Sequence, residues 1–148
     1  MMSARSSFRY AAGALMLGAF AHIIGHRMGP ETIGFMGAPP DVVQGARDGT
    51  ALYYAMITAI IGLLFGLAWL AYKTHRQRLP RICLWVFAVI FMLRGLLFVA
   101  FIPAALSGNY GPDPAKFWFH FCASIFVLTI GMSLANGLWK TRAPKLRE

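Results

Sequence analysis

Four apolar segments, roughly Phe8 to Gly25, Ala51 to Tyr72, Ile82 to Leu106 and Phe117 to Trp139, occupy most of this 148-residue chain and are separated by short polar connections. Each has about the 20 predominantly apolar residues that a helix needs to cross a hydrocarbon core of roughly 30 Å. Lipid offers the backbone no hydrogen-bonding partner, so such segments must be helical. No internal repeat, low-complexity tail or long linker divides the chain. The expectation is all-α: one integral membrane domain over residues 1–148, built as a four-helix transmembrane bundle.

The charges set an orientation. Hydrophobic residues make up 58% and charged residues 13%, and the mean hydropathy of +0.60 is too high for a soluble domain of this size. The net charge of +9 is unevenly placed. Arg5 and Arg9 precede the first span, Lys73, Arg76, Arg78 and Arg81 fill the middle connection, and Lys140, Arg142, Lys145 and Arg147 follow the fourth. The other two connections are nearly balanced: Arg27 and Arg47 against Glu31, Asp41 and Asp48, then Lys116 against Asp113. That alternation is the positive-inside pattern, predicting both termini and the middle loop on the cytoplasmic side of a bacterial inner membrane, N-in and C-in. Basic residues beside the membrane favour anionic head groups at that face, which accounts for the charge without nucleic acid as a partner.

The first span has a rival reading. Arg5 and Arg9, a short apolar run and Ala19-Phe20-Ala21 are the ingredients of a cleaved secretory signal peptide. Apolar residues continue past that point through Ile23 and Ile24, and small packing residues precede it, which favours retention as a span. Between the first two spans, Pro30, Pro39, Pro40 and five glycines predict an irregular loop with one short interfacial turn. Asp48 and Thr50 are the two possible N-caps of the second helix, and Pro80 stands just before the third span. Ser107 to Pro114 is a tight turn, with Asp113 as N-cap and Pro114 at the first helical position.

Small residues mark packing faces. Ala14, Gly18, His22 and His26 recur every four residues on the first helix, so its histidines are expected to face protein. Ala55, Ala59, Gly62 and Gly66 form a similar stripe on the second helix, and His120, Ser124, Val127, Gly131 and Ala135 one on the fourth. The third helix carries Phe87, Phe91, Phe98 and Phe101, with Arg94 among them. At 1.5 Å per residue Arg94 lies roughly 18 Å from the inner surface, slightly past the midplane. A charge there costs several kcal/mol and is expected to face the bundle interior with a partner. No span carries a carboxylate, and Asp48 is the nearest candidate.

His22, His26, Arg94 and His120 all fall in the outer half of the bundle by the same arithmetic. Polar groups converging inside an apolar bundle mark a ligand site, and Arg94 would supply the charge for an anionic group. Two histidines at i and i+4, with a third, are a possible metal site at His22, His26 and His120, although no HExxH motif is present. Alternatively His22 or His26 with His120 would hold haem, with Arg94 near the propionates, and the aromatic third helix would suit a porphyrin or quinone. His75 is expected to be a solvated loop residue. Cys83 and Cys122 differ too much in depth for a disulfide and read as buried small residues. A CxxC motif, a nucleophile elbow, a phosphate loop and paired intramembrane carboxylates are all missing, so no reaction is legible.

In span number, loop lengths, glycine-rich first helix and inside termini, the chain loosely resembles small bacterial four-helix membrane proteins, including the DoxX-like group. That resemblance implies association with respiratory or redox proteins; it assigns no residue a role. The expected function is a binding or accessory protein with an outer-half polar pocket for a small apolar or anionic-headed molecule. The alternatives are a haem- or quinone-linked redox subunit and an oligomeric transporter or channel, with a homo-oligomer or a membrane complex as partner.

Overall fold

The computed structural model describes residues 3–73 and 78–141, with backbone alone over 78–80. The expectation for His75 lies outside those residues. Helices α1 (Ala4–Met28), α4 (Ala51–Lys73), α5 (Arg78–Leu96) and α7 (Pro114–Lys140) are joined by the short α2 (Pro30–Phe35), α3 (Pro40–Arg47) and α6 (Ile102–Ser107), and the described residues contain no strand. Counting α5 through α6 as one span over Arg81–Ser107, four helices of 23 to 27 residues are long and apolar enough to cross a membrane. All four expected segments are present.

Local chemistry fixes their starts. The Ser3 hydroxyl accepts the Ser6 N–H at 3.1 Å to open α1. Thr50, the second of the two expected caps, accepts the Tyr53 N–H at 3.3 Å to open α4. Asp113 accepts the Lys116 N–H at 3.1 Å and Pro114 takes the first helical position of α7, as the sequence predicts. The loop after α1 is more ordered than expected. Pro30 and Pro40 each occupy the first position of a short helix, so α2 and α3 form a cap at what we term the loop end, opposite the terminal end, where α1 begins and α7 finishes.

The third span is not uniform. Pro103 has no N–H to give the Val99 carbonyl, which accepts from Ile102 instead, and residues Leu97–Phe101 tighten into a 3-10 turn.

In cross-section α1 lies between α4 and α7, and α7 lies between α1 and α5. Helices α4 and α5 touch only lightly, although they follow one another in sequence. The shared core sits toward the terminal end: Phe8, Ala11 and Leu15 from α1, Leu67, Ala68 and Ala71 from α4, Leu84 and Ala88 from α5, and Ile130, Leu134 and Leu138 from α7. Ala19 is also buried, and α1 runs unbroken through Ala19-Phe20-Ala21. Two side-chain hydrogen bonds tie α1 to α7, Asn136 Nδ2 to Ser7 Oγ at 2.7 Å and Tyr10 to Thr129 at 2.9 Å.

Glycine spacing decides how close α5 and α7 come. A methyl at Gly95 would stand 2.6 Å from the Leu128 backbone, and one at Gly131 2.8 Å from the Met92 nitrogen. Small residues let these two backbones touch, as expected at Gly131. The α4 stripe is a correction. Ala55, Ala59, Gly62 and Gly66 are all exposed, with open space over Gly62 and Gly66, because α4 packs on α1 through Tyr53, Leu67, Ala68 and Ala71. Cys122, expected to be buried, is exposed, and Cys83 is half-buried; both are free thiols.

Candidate functional site

Arg94 occupies the last turn of α5, immediately before the 3-10 segment. Gly95, its neighbour, seats α5 against the α7 backbone, and this brings the guanidinium to the buried Ser124 hydroxyl one turn away from Leu128. Arg94 Nη1 donates to Ser124 Oγ at 3.1 Å. Two expectations are corrected here. Arg94 is exposed on the side of the bundle and does not face its interior, because α5 stands at the edge of the row and buries only its Leu84, Ala88 and Gly95 face. Its partner is a neutral hydroxyl: Asp48 instead accepts the Gln44 amide at 2.9 and 3.0 Å, one turn away on the cap. Among the described residues the ion pair found is Arg47–Glu31 at 2.6 Å, so Arg94 has no counter-charge there.

Ser124 belongs to a polar stripe. Lys116, His120 and Ser124 follow at four-residue spacing on α7 and descend about 12 Å from the loop end toward Arg94. On α7 the His120 ring lies one turn from Lys116 and one turn from Ser124, the partner of Arg94. Above the stripe, α2, α3 and the start of α7 enclose an open cleft of about 580 Å³. Glu31, Arg47, Asp113 and Lys116 balance its charge, and Phe35 and Val43 supply apolar wall.

The first-helix histidines take other partners. His22 Nδ1 lies 2.8 Å from the Gly18 carbonyl; a carbonyl only accepts, so His22 donates through Nδ1 to its own helix. His26 Nδ1 shares a 2.7 Å hydrogen bond with the Tyr53 hydroxyl and packs against the Tyr53 and Tyr54 rings, at 5.6 and 5.8 Å between centroids. Between these histidines and His120 stands the Met36–Gly37 turn. A methyl at Gly25 would come within 2.5 Å of the Met36 sulfur, and one at Gly37 within 2.6 Å of His120 Cε1. Gly37 also has φ +97°, so it is required twice, for backbone conformation and for closeness.

The three histidines are not brought together among the described residues. No three His, Cys, Asp or Glu side chains among the described residues gather as a metal site, so His22, His26 and His120 do not form one. The Met36–Gly37 turn occupies the space between His120 and the first helix, where a porphyrin shared by His22 or His26 and His120 would lie. The aromatic residues of the 3-10 segment pack against α7. Phe98 packs on Phe121 and Phe101 on Phe117, at 5.8 and 5.6 Å between centroids.

What the structure assembles is a polar column of Lys116, His120 and Arg94, two cations with a histidine between them, of which the sequence reading held the last two. Lys116 was legible as the residue four before His120. Tyr53, the partner of His26, and Gly95, which seats Arg94, carried no signal apart from residue type. Comparison with known protein families, with characterised proteins and with solved structures found no match for this chain.

Proposed function

We propose that the protein is a non-catalytic binding or accessory protein of the bacterial inner membrane, with both termini in the cytoplasm and α1 retained as a span. Its loop-end column of Lys116, His120 and Arg94 receives the anionic head of a small amphiphile such as a lipid. One observation carries this reading: Arg94 is a full charge inside a span, exposed on the side of the bundle, with a neutral hydroxyl as its partner. A planar guanidinium offers five N–H donors in a fork that suits carboxylate or phosphate, and Ser124 takes one of them.

The test is the lipid complement of the purified protein. Acidic lipid or another anionic amphiphile should co-purify with wild type and be lost from Arg94→Ala. Arg94→Lys should retain little, because a point charge does not reproduce the two-point contact. Unchanged co-purification with Arg94→Ala removes the reading. A visible spectrum of protein from haem-replete cells addresses the redox alternative, and no Soret band is expected.

A second reading, assembly as a homo-oligomer that could serve as a transporter or channel, is favoured by the outward stripe of Ala55, Ala59, Gly62 and Gly66 on α4. Such faces allow close helix approach between protomers. The molecular mass in detergent micelles, by light scattering, tests it: a single-protomer mass would set it aside.

A further inference from the structure

A second basic cluster lies at the opposite end of the molecule. Arg5, Phe8 and Arg9 from the first turns of α1, with Tyr72 and Lys73 from the last turn of α4, surround a cavity of about 230 Å³. Three cations from two helices line it and no carboxylate does, whereas the loop-end cleft balances Arg47 and Lys116 with Glu31 and Asp113. Its aromatic parts differ: Phe8 is buried and forms a fixed floor, and Tyr72 is exposed at the rim.

The cations here are available. Arg81, at the same end, donates to the Leu138 carbonyl at 3.5 Å and the Thr141 hydroxyl at 3.2 Å, so its guanidinium closes the end of α7. The guanidinium groups of Arg5 and Arg9 have no hydrogen bond or ion pair to any described residue. Lys73 is held with its ammonium 4.4 Å over the Trp69 ring, a contact that positions the charge and leaves its N–H donors. Trp69, Tyr72 and Trp139 are exposed around this end, as aromatic side chains are where helices leave the hydrocarbon.

We infer that Arg5, Arg9 and Lys73 form a binding site for the phosphate of an anionic phospholipid in the leaflet at the terminal end. The shared chemistry is a phosphate ester. A lipid is its source because the cavity opens at the level of the aromatic belt, where the glycerol and first acyl carbons of a lipid lie against Tyr72 and the outer face of α4. The inference does not rest on the loop-end column.

The test uses the full-length protein in uncharged detergent, titrated with short-chain phosphatidylglycerol, phosphatidylcholine of the same chains, and glycerol 3-phosphate. Binding is read by native mass spectrometry and by the shift in melting temperature, in wild-type and Arg94→Ala backgrounds so that the loop-end column does not contribute. Phosphatidylglycerol should bind and stabilise, and the other two should not. Removing each charge should weaken binding about fivefold, so Arg5→Gln/Arg9→Gln/Lys73→Gln together should cost about a hundredfold. Lys140→Gln/Arg142→Gln/Lys145→Gln removes the same charge from the last nine residues of the sequence and should change affinity less than about twofold. Should the triple pocket variant not fold, Arg9→Gln should lose about fivefold alone and Arg9→Lys should keep most of the affinity. Equal losses in the pocket and tail variants, equal binding of phosphatidylcholine, or equal stabilisation by glycerol 3-phosphate would each overturn the inference, the last by assigning the cavity to a soluble phosphate.

Discussion

At the terminal end, α1, α4, α5 and α7 all contribute aliphatic side chains to one core, and Leu15, Leu84, Leu134 and Leu138 are completely buried in it. At the loop end the same helices are joined by individual contacts: His26 with Tyr53, Arg94 with Ser124, and Gly37 beneath His120. In water the first arrangement would be driven by the hydrophobic effect. Between helices in lipid that drive is missing, and van der Waals fit and hydrogen bonds remain. The terminal end is therefore held mainly by one shared aliphatic core and the loop end by separate pairwise contacts, among which Arg94–Ser124 leaves guanidinium donors unused within the described residues.

Substitutions that discriminate between shape and polar matching test this contrast. The largest effect is expected from Gly95→Leu, where the new side chain meets the Leu128 backbone, which cannot rotate away; a loss of about 3 kcal/mol is expected in unfolding measurements in mixed micelles. A small effect there would mean that α5 and α7 are not in backbone contact. Leu134→Ala at the terminal end should cost about 2 kcal/mol, near the low end of the range for buried leucines because in lipid the cavity is costly and the transfer term is not. Tyr53→Phe at the loop end removes one hydrogen bond and should cost about 1 kcal/mol. If Tyr53→Phe proves costlier than Leu134→Ala, the contrast between the ends is reversed. Gly66→Leu, on the outward face of α4, should change the stability of a single protomer by less than about 0.5 kcal/mol. A larger loss, accompanied by a change in mass, would show that this face is covered by another protomer.

The same contrast explains what could be read from the chain alone. The four spans were legible because an apolar run of that length has one structural solution, and the Asp113-Pro114 start of α7 because capping is local chemistry. Their neighbour relations were not. A lipid-facing side chain and a core side chain are equally apolar, so the stripes on α4 and α7 looked alike, yet Gly66 faces outward and Gly131 packs against Met92. For the same reason Asp48 was matched to Arg94: both lie toward the loop end, but Asp48 precedes α4 while Arg94 sits on α5, and α5 pairs with α7. Depth can be counted along one helix. Lateral order requires knowing which helices touch, and here consecutive α4 and α5 do so only lightly.

The 3-10 turn over Leu97–Phe101 changes the surroundings of Arg94 in a way that a continuous α-helix would not. At 3.0 residues per turn in place of 3.6, five residues advance the helix phase by about 100° more and lengthen it by about 2.5 Å. Residues three apart eclipse in such a turn, so Phe98 and Phe101 point the same way and meet Phe121 and Phe117 as parallel rungs. Arg94–Ser124 is the next rung down. The guanidinium thus stands one rung from the Phe98–Phe121 pair, and its partner Ser124 shares α7 with His120 and Lys116. On the proposed function, a molecule with a charged head and a greasy body would meet both the guanidinium and the rings, and a uniformly polar solute only the first.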